Sequence, residues 1–243
     1  MLRKDGRSAN ELRKVTVKRN FVKYAQGSTL ISFGDTKVVC TAMVEEGVPA
    51  FLRGGKEGWL TAEYGLLPYS TPTRNPREIN RRRGRSYEIQ RLIGRSLRAV
   101  VDPTRLGERT IWIDCDVLQA DGGTRCASIS GAFVALVDAD IWLREKKIVD
   151  DSIIKDSLAA VSVGISGGEK LLDLSFQEDS QASVDMNVVM TGKKKLVEVQ
   201  VSGEGTSFSR NMLNQLLNLA EMGTAKLIQV EKEAIGIDEW KWC

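Results

Sequence analysis

The most constraining stretch of this chain is one strand-to-helix junction. From Thr110 to Gln119 the sequence alternates, with Ile111, Ile113, Cys115 and Val117 on one side and Trp112, Asp114 and Asp116 on the other. A period of two describes a half-buried strand. Gly122 and Gly123 close it, and residues 124–147 then run as one long helical pattern. Ala127, Gly131 and Ala135 recur every four residues along that helix, leaving a flat face suited to close packing on a sheet. Lys146 and Lys147 fall at its C-terminal end, where the helix dipole favours cations. Such a unit requires a sheet with a helix laid across it.

The flanking sequence supplies the rest of that sheet. Residues 15–44 read as three strands, KVTVKRNF, STLISF and TKVVCTAMV, the last two joined by a two-residue turn, Gly34-Asp35. A Gly- and charge-rich loop follows over 45–58, then a strand in WLTAEYGLLP. Residues 68–85, PYSTPTRNPREINRRRGR, read as an extended loop, longer than ordinary connections. Residues 86–102 form an amphipathic helix with Ile89, Leu92, Ile93, Leu97 and Val100 on one face and Arg91, Arg95 and Arg98 as a second stripe. Ser86 stands at the N-cap position and Pro103 closes the far end.

The second half repeats the style. LAAVSVGIS, KLLDLSF, ASVDMNVVM and KLVEVQVS are four strand-like runs, followed by a helical stretch over 208–236. Leu213, Leu216, Leu217 and Ala220 make its early apolar face, and Gly223 is expected to divide it into two helices. The expected fold class is α+β, with two halves built alike, about 1–145 and 146–238, packed as one compact domain. The tail 239–243 is expected to be peripheral, as is the whole IDEWKWC segment.

Composition removes whole mechanisms. There is no histidine, so a Ser-His-Asp triad, paired-imidazole RNA cleavage and histidine-bound metal are all excluded. Cys40, Cys115, Cys126 and Cys243 have no CxxC spacing and describe neither a zinc site nor a disulfide framework. Cys40 and Cys115 are expected to be buried in strands. No apolar run is expected to reach the roughly 18 residues of a membrane span. The N-terminus lacks the apolar segment of a secretory signal. A soluble cytoplasmic protein with no membrane partner is therefore expected.

Net charge is only +3, but its distribution is uneven. Nine arginines lie between Arg74 and Arg98 against two acids, Glu78 and Glu88, which points to a polyanionic partner. Several segments carry candidate chemistry. In DGGTR, residues 121–125, two glycines let the backbone approach a ligand at a helix N-terminus, and Arg125 adds a forked charge suited to phosphate. A plain strand-to-helix turn explains the same glycines. Arg85 occupies a similar place before the other strong helix, either as a second phosphate ligand or as a solvated loop-end charge. Asp179 and Asp185, with Asp173 and Glu178 nearby, suit Mg²⁺ or ordinary turn chemistry. Arg74 and Arg77 lie in the long loop, where arginines track an RNA backbone or contact another subunit. Tyr64, Tyr69 and Tyr87 interleave with the arginines as stacking candidates or as core residues.

Together these segments resemble the bacterial RNase PH family along nearly the whole chain. The resemblance rests on GWLTAEYGLLP, TRNPRE, GRSYEIQRLIGRSLRAVVD, DCDVLQADGGTRCASISGAFVALVDA, AAVSVGIS and EDSQASVDMNVVMT. It implies two βαβα-type halves of the RNase PH type, like the second domain of ribosomal protein S5. It also implies a phosphate-dependent 3′→5′ exoribonuclease that trims tRNA precursors and other RNA, releases nucleoside diphosphates, and runs in reverse as a nucleotidyltransferase. By resemblance, Arg85, Gly123, Thr124 and Arg125 bind the attacking inorganic phosphate. Asp179 and Asp185 are the catalytic pair and hold a divalent metal, Mg²⁺ by preference, with Asp185 the proton donor. Arg74 and Arg77 belong to the loop that engages tRNA, and the assembly is a hexameric ring, a trimer of dimers.

The sequence departs from the family pattern in places. Tyr69 stands where many members carry a third loop arginine, Arg81, Arg82 and Arg83 replace a mixed run, and SRNML replaces a more acidic stretch. These departures bear on RNA grip and ring contacts. The rival reading is a catalytically silent RNA-binding ring subunit, which would be expected to lose Arg85, Arg125, Asp179 or Asp185. A small-molecule phosphate enzyme would leave the loop arginines unexplained.

Overall fold

A computed structural model describes residues 3–77 and 84–236. Arg81, Arg82, Arg83, Cys243 and the tryptophan-containing tail lie outside the described residues. The chain forms two sheets. The first holds β1 (Val15–Arg19), β2 (Gly27–Phe33), β3 (Thr36–Glu46), β4 (Trp59–Leu66) and β5 (Arg109–Gln119) in the order β1-β2-β3-β5-β4. All its pairings are antiparallel except β4 with β5. A parallel pair needs a crossover, and α1 (Gly84–Arg98) supplies it. The hairpin between β2 and β3 closes with Phe33 opposite Thr36, so Gly34-Asp35 is the turn. Gly34 takes φ 56°, which suits a Gly-first two-residue connection.

The second sheet holds β6 (Leu158–Ser166), β7 (Glu169–Leu172), β8 (Ala182–Thr191) and β9 (Leu196–Gly203), antiparallel throughout in the order β7-β6-β8-β9. The short helix α2 (Pro103–Leu106) is capped by the Asp102 side chain, so Pro103 both ends the turn after α1 and starts the next helix. The other helices are α3 (Thr124–Glu145), α4 (Phe176–Asp179) and α5 (Arg210–Ile235).

The centre of the core is α3, which packs on β2 and β3 of the first sheet and on β6 of the second. It is the one described helix long and apolar enough to cross a membrane, and 89% of that apolar window is buried inside the fold. The four-residue step of small side chains has the expected consequence. A Cβ on Gly131 would sit 2.6 Å from Ile31 and 2.8 Å from the Cys40 sulfur. Cys40 and Cys115 face each other across β3 and β5, both buried.

Three local expectations need correction. Gly223 does not divide the last helix, because α5 is continuous from Arg210 to Ile235. The glycine serves packing instead, since a Cβ there would meet Leu172 at 2.6 Å and Val161 at 3.3 Å. KLLDLSF is strand only as far as Leu172; Asp173 then takes φ 54° and the chain turns into α4. Ser86 is not a cap but a buried residue within α1, which also places Arg85 in the helix.

Candidate active site

The six residues expected to touch phosphate or metal line one cleft of about 640 Å³ between the two sheets. Arg85, Gly123, Thr124 and Arg125 come from the first half, Asp179 and Asp185 from the second, joined by Ser162, Phe176 and Asn187. The cleft gathers residues 100 positions apart in sequence because α3 starts at the seam between the sheets.

One wall of the cleft is built on the turn after β5. Gly122 and Gly123 adopt φ 79° and 66°, a left-handed backbone that suits glycine. A Cβ on Gly122 would lie 2.7 Å from backbone atoms of Leu174, Ser175 and Phe176, so a side chain has no room. Gly123 caps α3, and the first turn of this long helix presents its amides and the positive end of its dipole to the cleft. Thr124 Oγ1 lies 2.9 Å from the hydroxyl of Tyr64, which is buried on β4 and is therefore a support rather than a base-stacking residue. Arg125 Nη1 donates to Gln200 Oε1 on β9 at 3.0 Å and lies 3.5 Å from Glu88 on α1. Its charge acts on both aspartates of the cleft, and that of Arg85 acts on Asp179.

The acidic side is built on α4 and β8. Ser175 and Glu178 form a reciprocal capping box at the N-terminus of α4, with Asp179 at the helix's last position. Asp185 and Asn187 point to one face of β8, two residues apart. On the neighbouring strands, Gly164 and Ser202 sit opposite Asp185, and Ser162 and Gln200 opposite Asn187. Burial pushes the Asp185 carboxyl up to about 6, with the Asp179 charge adding to the shift and Arg125 opposing it. Asp179 is also raised, by burial first, while Arg125 and Arg85 pull it down. Each carboxyl influences the titration of the other, and the Asp179 charge raises Asp185. Asp185 Oδ1 is buried with no hydrogen-bond partner. Two close carboxylates, one with an unanswered buried oxygen, fit either a shared proton or a small hard cation. Among the described residues no group of three or more acidic or thiol ligands converges on one point, so a cation here would draw its other ligands from water and substrate.

The loop arginines are placed differently. Arg77 lines a separate recess with Glu63, Asp114 and Asp116, on the opposite face of β5 from the core. Arg74 lines neither cavity, although Thr73, Asn75 and Pro76 border the cleft between the sheets. The helical arginine stripe has largely structural duties. Arg98 donates to the Leu60 carbonyl at 2.9 Å and covers the Trp59 ring at 4.8 Å, and Arg95 pairs with Glu198 at 2.9 Å.

Several supporting residues gave no signal in the sequence. Arg3, Arg7 and Arg13 lie in the charged N-terminal segment, yet all three are buried. Arg13 pairs with Asp173 and reaches the Asp121 carbonyl in the turn after β5, while Arg3 pairs with Glu178 under α4. Thr36, Tyr64 and Gln200 hold the turn from three other strands.

Residues 11–142 match domain 1 of the 3′ exoribonuclease family, and residues 156–223 match domain 2. The chain belongs to the RNase PH family. It is similar to ribonuclease PH of Moorella thermoacetica, with 58% identity over 238 residues, covering 97% of this chain and 95% of the relative. Among solved structures it is similar to a chain of the Archaeoglobus fulgidus exosome with RNA bound to the active site. That match has a TM-score of 0.79 and 26% identity, over 93% of this chain and 91% of the other. An archaeal exosome core chain shares the fold with a TM-score of 0.75 and 23% identity, over 96% and 90% of the two chains. The RNase PH relationship makes this chain a phosphorolytic 3′→5′ exoribonuclease, and the silent-subunit reading falls away.

Proposed function

We propose that the cleft between the sheets is where inorganic phosphate attacks the last phosphodiester of an RNA 3′ end. One observation carries this reading: Arg85, Arg125, the α3 N-terminus and the Asp179–Asp185 pair line the same cavity. Phosphorolysis brings two anions together, so their repulsion must be screened before bond formation. Arg85 and Arg125, with the amides of Gly123 and Thr124, hold and orient the phosphate.

A phosphate oxygen forms the new bond to the scissile phosphorus while the bond to the 3′ oxygen of the preceding nucleotide breaks. That 3′ oxygen takes a proton, and Asp185, with its carboxyl raised to about 6, is the donor. The products are a nucleoside diphosphate and an RNA one residue shorter; the reverse reaction adds a nucleotide. A divalent cation, Mg²⁺ by its preference for carboxylate and phosphate oxygens, would be held by Asp179 and Asp185 and would neutralise charge on the phosphates.

The substrates in this reading are tRNA precursors and other RNA 3′ ends, with Arg74 and Arg77 engaging the RNA beyond the cleft. The halves 1–145 and 146–238 work as one catalytic unit, since each contributes half of the site. A homo-oligomeric ring is supported by the likeness to exosome core chains, and we take it as a hexamer, a trimer of dimers, in the cytoplasm. The test is incubation of a short 3′-tailed RNA with Mg²⁺, with and without phosphate. Nucleoside diphosphate is expected only with phosphate; nucleoside monophosphate would mean hydrolysis and would overturn the reading.

A further inference from the structure

The phosphate turn is held from behind by two residues outside the cleft. Thr36, the first residue of β3, is buried; its Oγ1 accepts from the Asp121 amide at 2.9 Å and donates to the Gly122 carbonyl at 2.7 Å. Arg13 donates to the Asp121 carbonyl through Nη1 and to the Gly122 carbonyl through Nη2 at 3.4 Å. Its guanidinium is fixed in turn by Asp173, which accepts Nη2 at 2.7 Å, Nε at 3.0 Å and the Arg13 amide at 2.8 Å. Asp173 is almost fully buried in a left-handed conformation, anchored by its own amide on the Ser162 carbonyl at 2.7 Å.

A trans peptide points its carbonyl and its amide in opposite directions. With the Gly122 carbonyl drawn back to Thr36 and Arg13, the Gly123 amide of the same peptide points the other way, into the cleft. The Asp121 carbonyl likewise directs the Gly122 amide. Glycine on both sides makes the 122–123 peptide easy to rotate, because neither neighbour has a Cβ to resist it. Left to itself, the turn would sample orientations that offer a carbonyl, not an amide, to an incoming anion.

We propose that Arg13 and Thr36 are positioning residues that lock the 121–123 peptides with their amides toward the phosphate. This inference rests on the phosphate reading of the turn. Arg13 extends the lock across the halves, because its partner Asp173 sits three residues before α4, which carries Asp179. The arginine therefore sets the distance between the anion-binding turn and the acidic pair from one buried point.

The test is titration of the full-length protein with inorganic phosphate alone, followed calorimetrically, beside RNA binding without phosphate. Thr36→Val keeps the shape of the buried side chain and removes both hydrogen bonds to the turn. Its phosphate Kd should rise about tenfold, the scale of one to two hydrogen bonds, while RNA binding stays within twofold. Thr36→Ser restores the hydroxyl and should restore phosphate affinity. Arg13→Lys keeps the charge but loses the fork, and should weaken phosphate at least as much. If Arg13→Lys loses its folded circular dichroism signal, Thr36→Val and Thr36→Ser decide the matter alone. Parent-like phosphate affinity in Thr36→Val, or equal weakening of phosphate and RNA, would overturn the proposal. A parent protein that binds no phosphate is a distinct result, and contradicts the phosphate reading itself.

Discussion

Arg125 Nη1 donates to Gln200 Oε1 at 3.0 Å, so the arginine at the start of α3 is steadied by the second sheet. This hydrogen bond crosses between the halves beside the Gly122-Gly123 turn. Arg125→Ala removes the forked charge and should lower kcat/KM for phosphate by about 10²-fold. Gln200→Ala leaves the charge and only loosens it, so a loss of about two- to fivefold is expected, roughly one neutral hydrogen bond. Steady-state kinetics with phosphate as the varied substrate separates the two.

Asp185→Asn keeps the shape of the acid but not its proton. Turnover should fall by about 10²-fold or more, the usual worth of a positioned acid. RNA affinity measured by filter binding should remain within a few-fold. Chelation of divalent cations should slow the parent strongly and Asp185→Asn little further.

Arg74→Ala with Arg77→Ala should weaken structured tRNA more than a short single strand. Each arginine that neutralises a phosphate displaces about one counterion, so the slope of log affinity against log salt should shallow by about 1–2. An unchanged slope with an altered oligomer size by sedimentation would make the loop a subunit contact instead.

Glu231 on α5 is buried beside Ser130, and burial pushes its carboxyl well above the ordinary range, with the Ser130 hydroxyl offsetting part of the shift. A raised folded-state pKa means the folded protein binds this proton more tightly than the unfolded chain. Stability from this group is therefore full below about pH 4.5 and is lost as pH rises. Glu231→Gln should be more stable than the parent at pH 8 by about 1–3 kcal/mol. The gap should close toward about pH 4, where the parent carboxyl is protonated in both states, as followed by urea unfolding at each pH.

The legible parts of this protein were those written in local patterns. The strand 110–119, the Gly122-Gly123 turn and α3 announce themselves by period and by glycine placement, and Gly34-Asp35 is a turn for equally local reasons. Gly223 misled because a glycine inside a helix signals either a break or a close approach, and only the facing Leu172 decides between them. The site divides the same way. Arg125 stood out beside its glycines, but Arg13 lies 108 residues from the Asp121 carbonyl it holds, and nothing in the N-terminal charges distinguishes a buried fork from a solvated one. The raised pKa of Asp185 likewise depends on burial and on Asp179, neither of which the spacing of two aspartates can specify.

If phosphate rather than water attacks the RNA in this cleft, phosphorolysis with radiolabelled inorganic phosphate and unlabelled RNA shows it most directly. The label should appear in the β-phosphate of the released nucleoside diphosphate, at a rate that falls in Arg125→Ala. Unlabelled monophosphate products, formed equally well without phosphate, would contradict it.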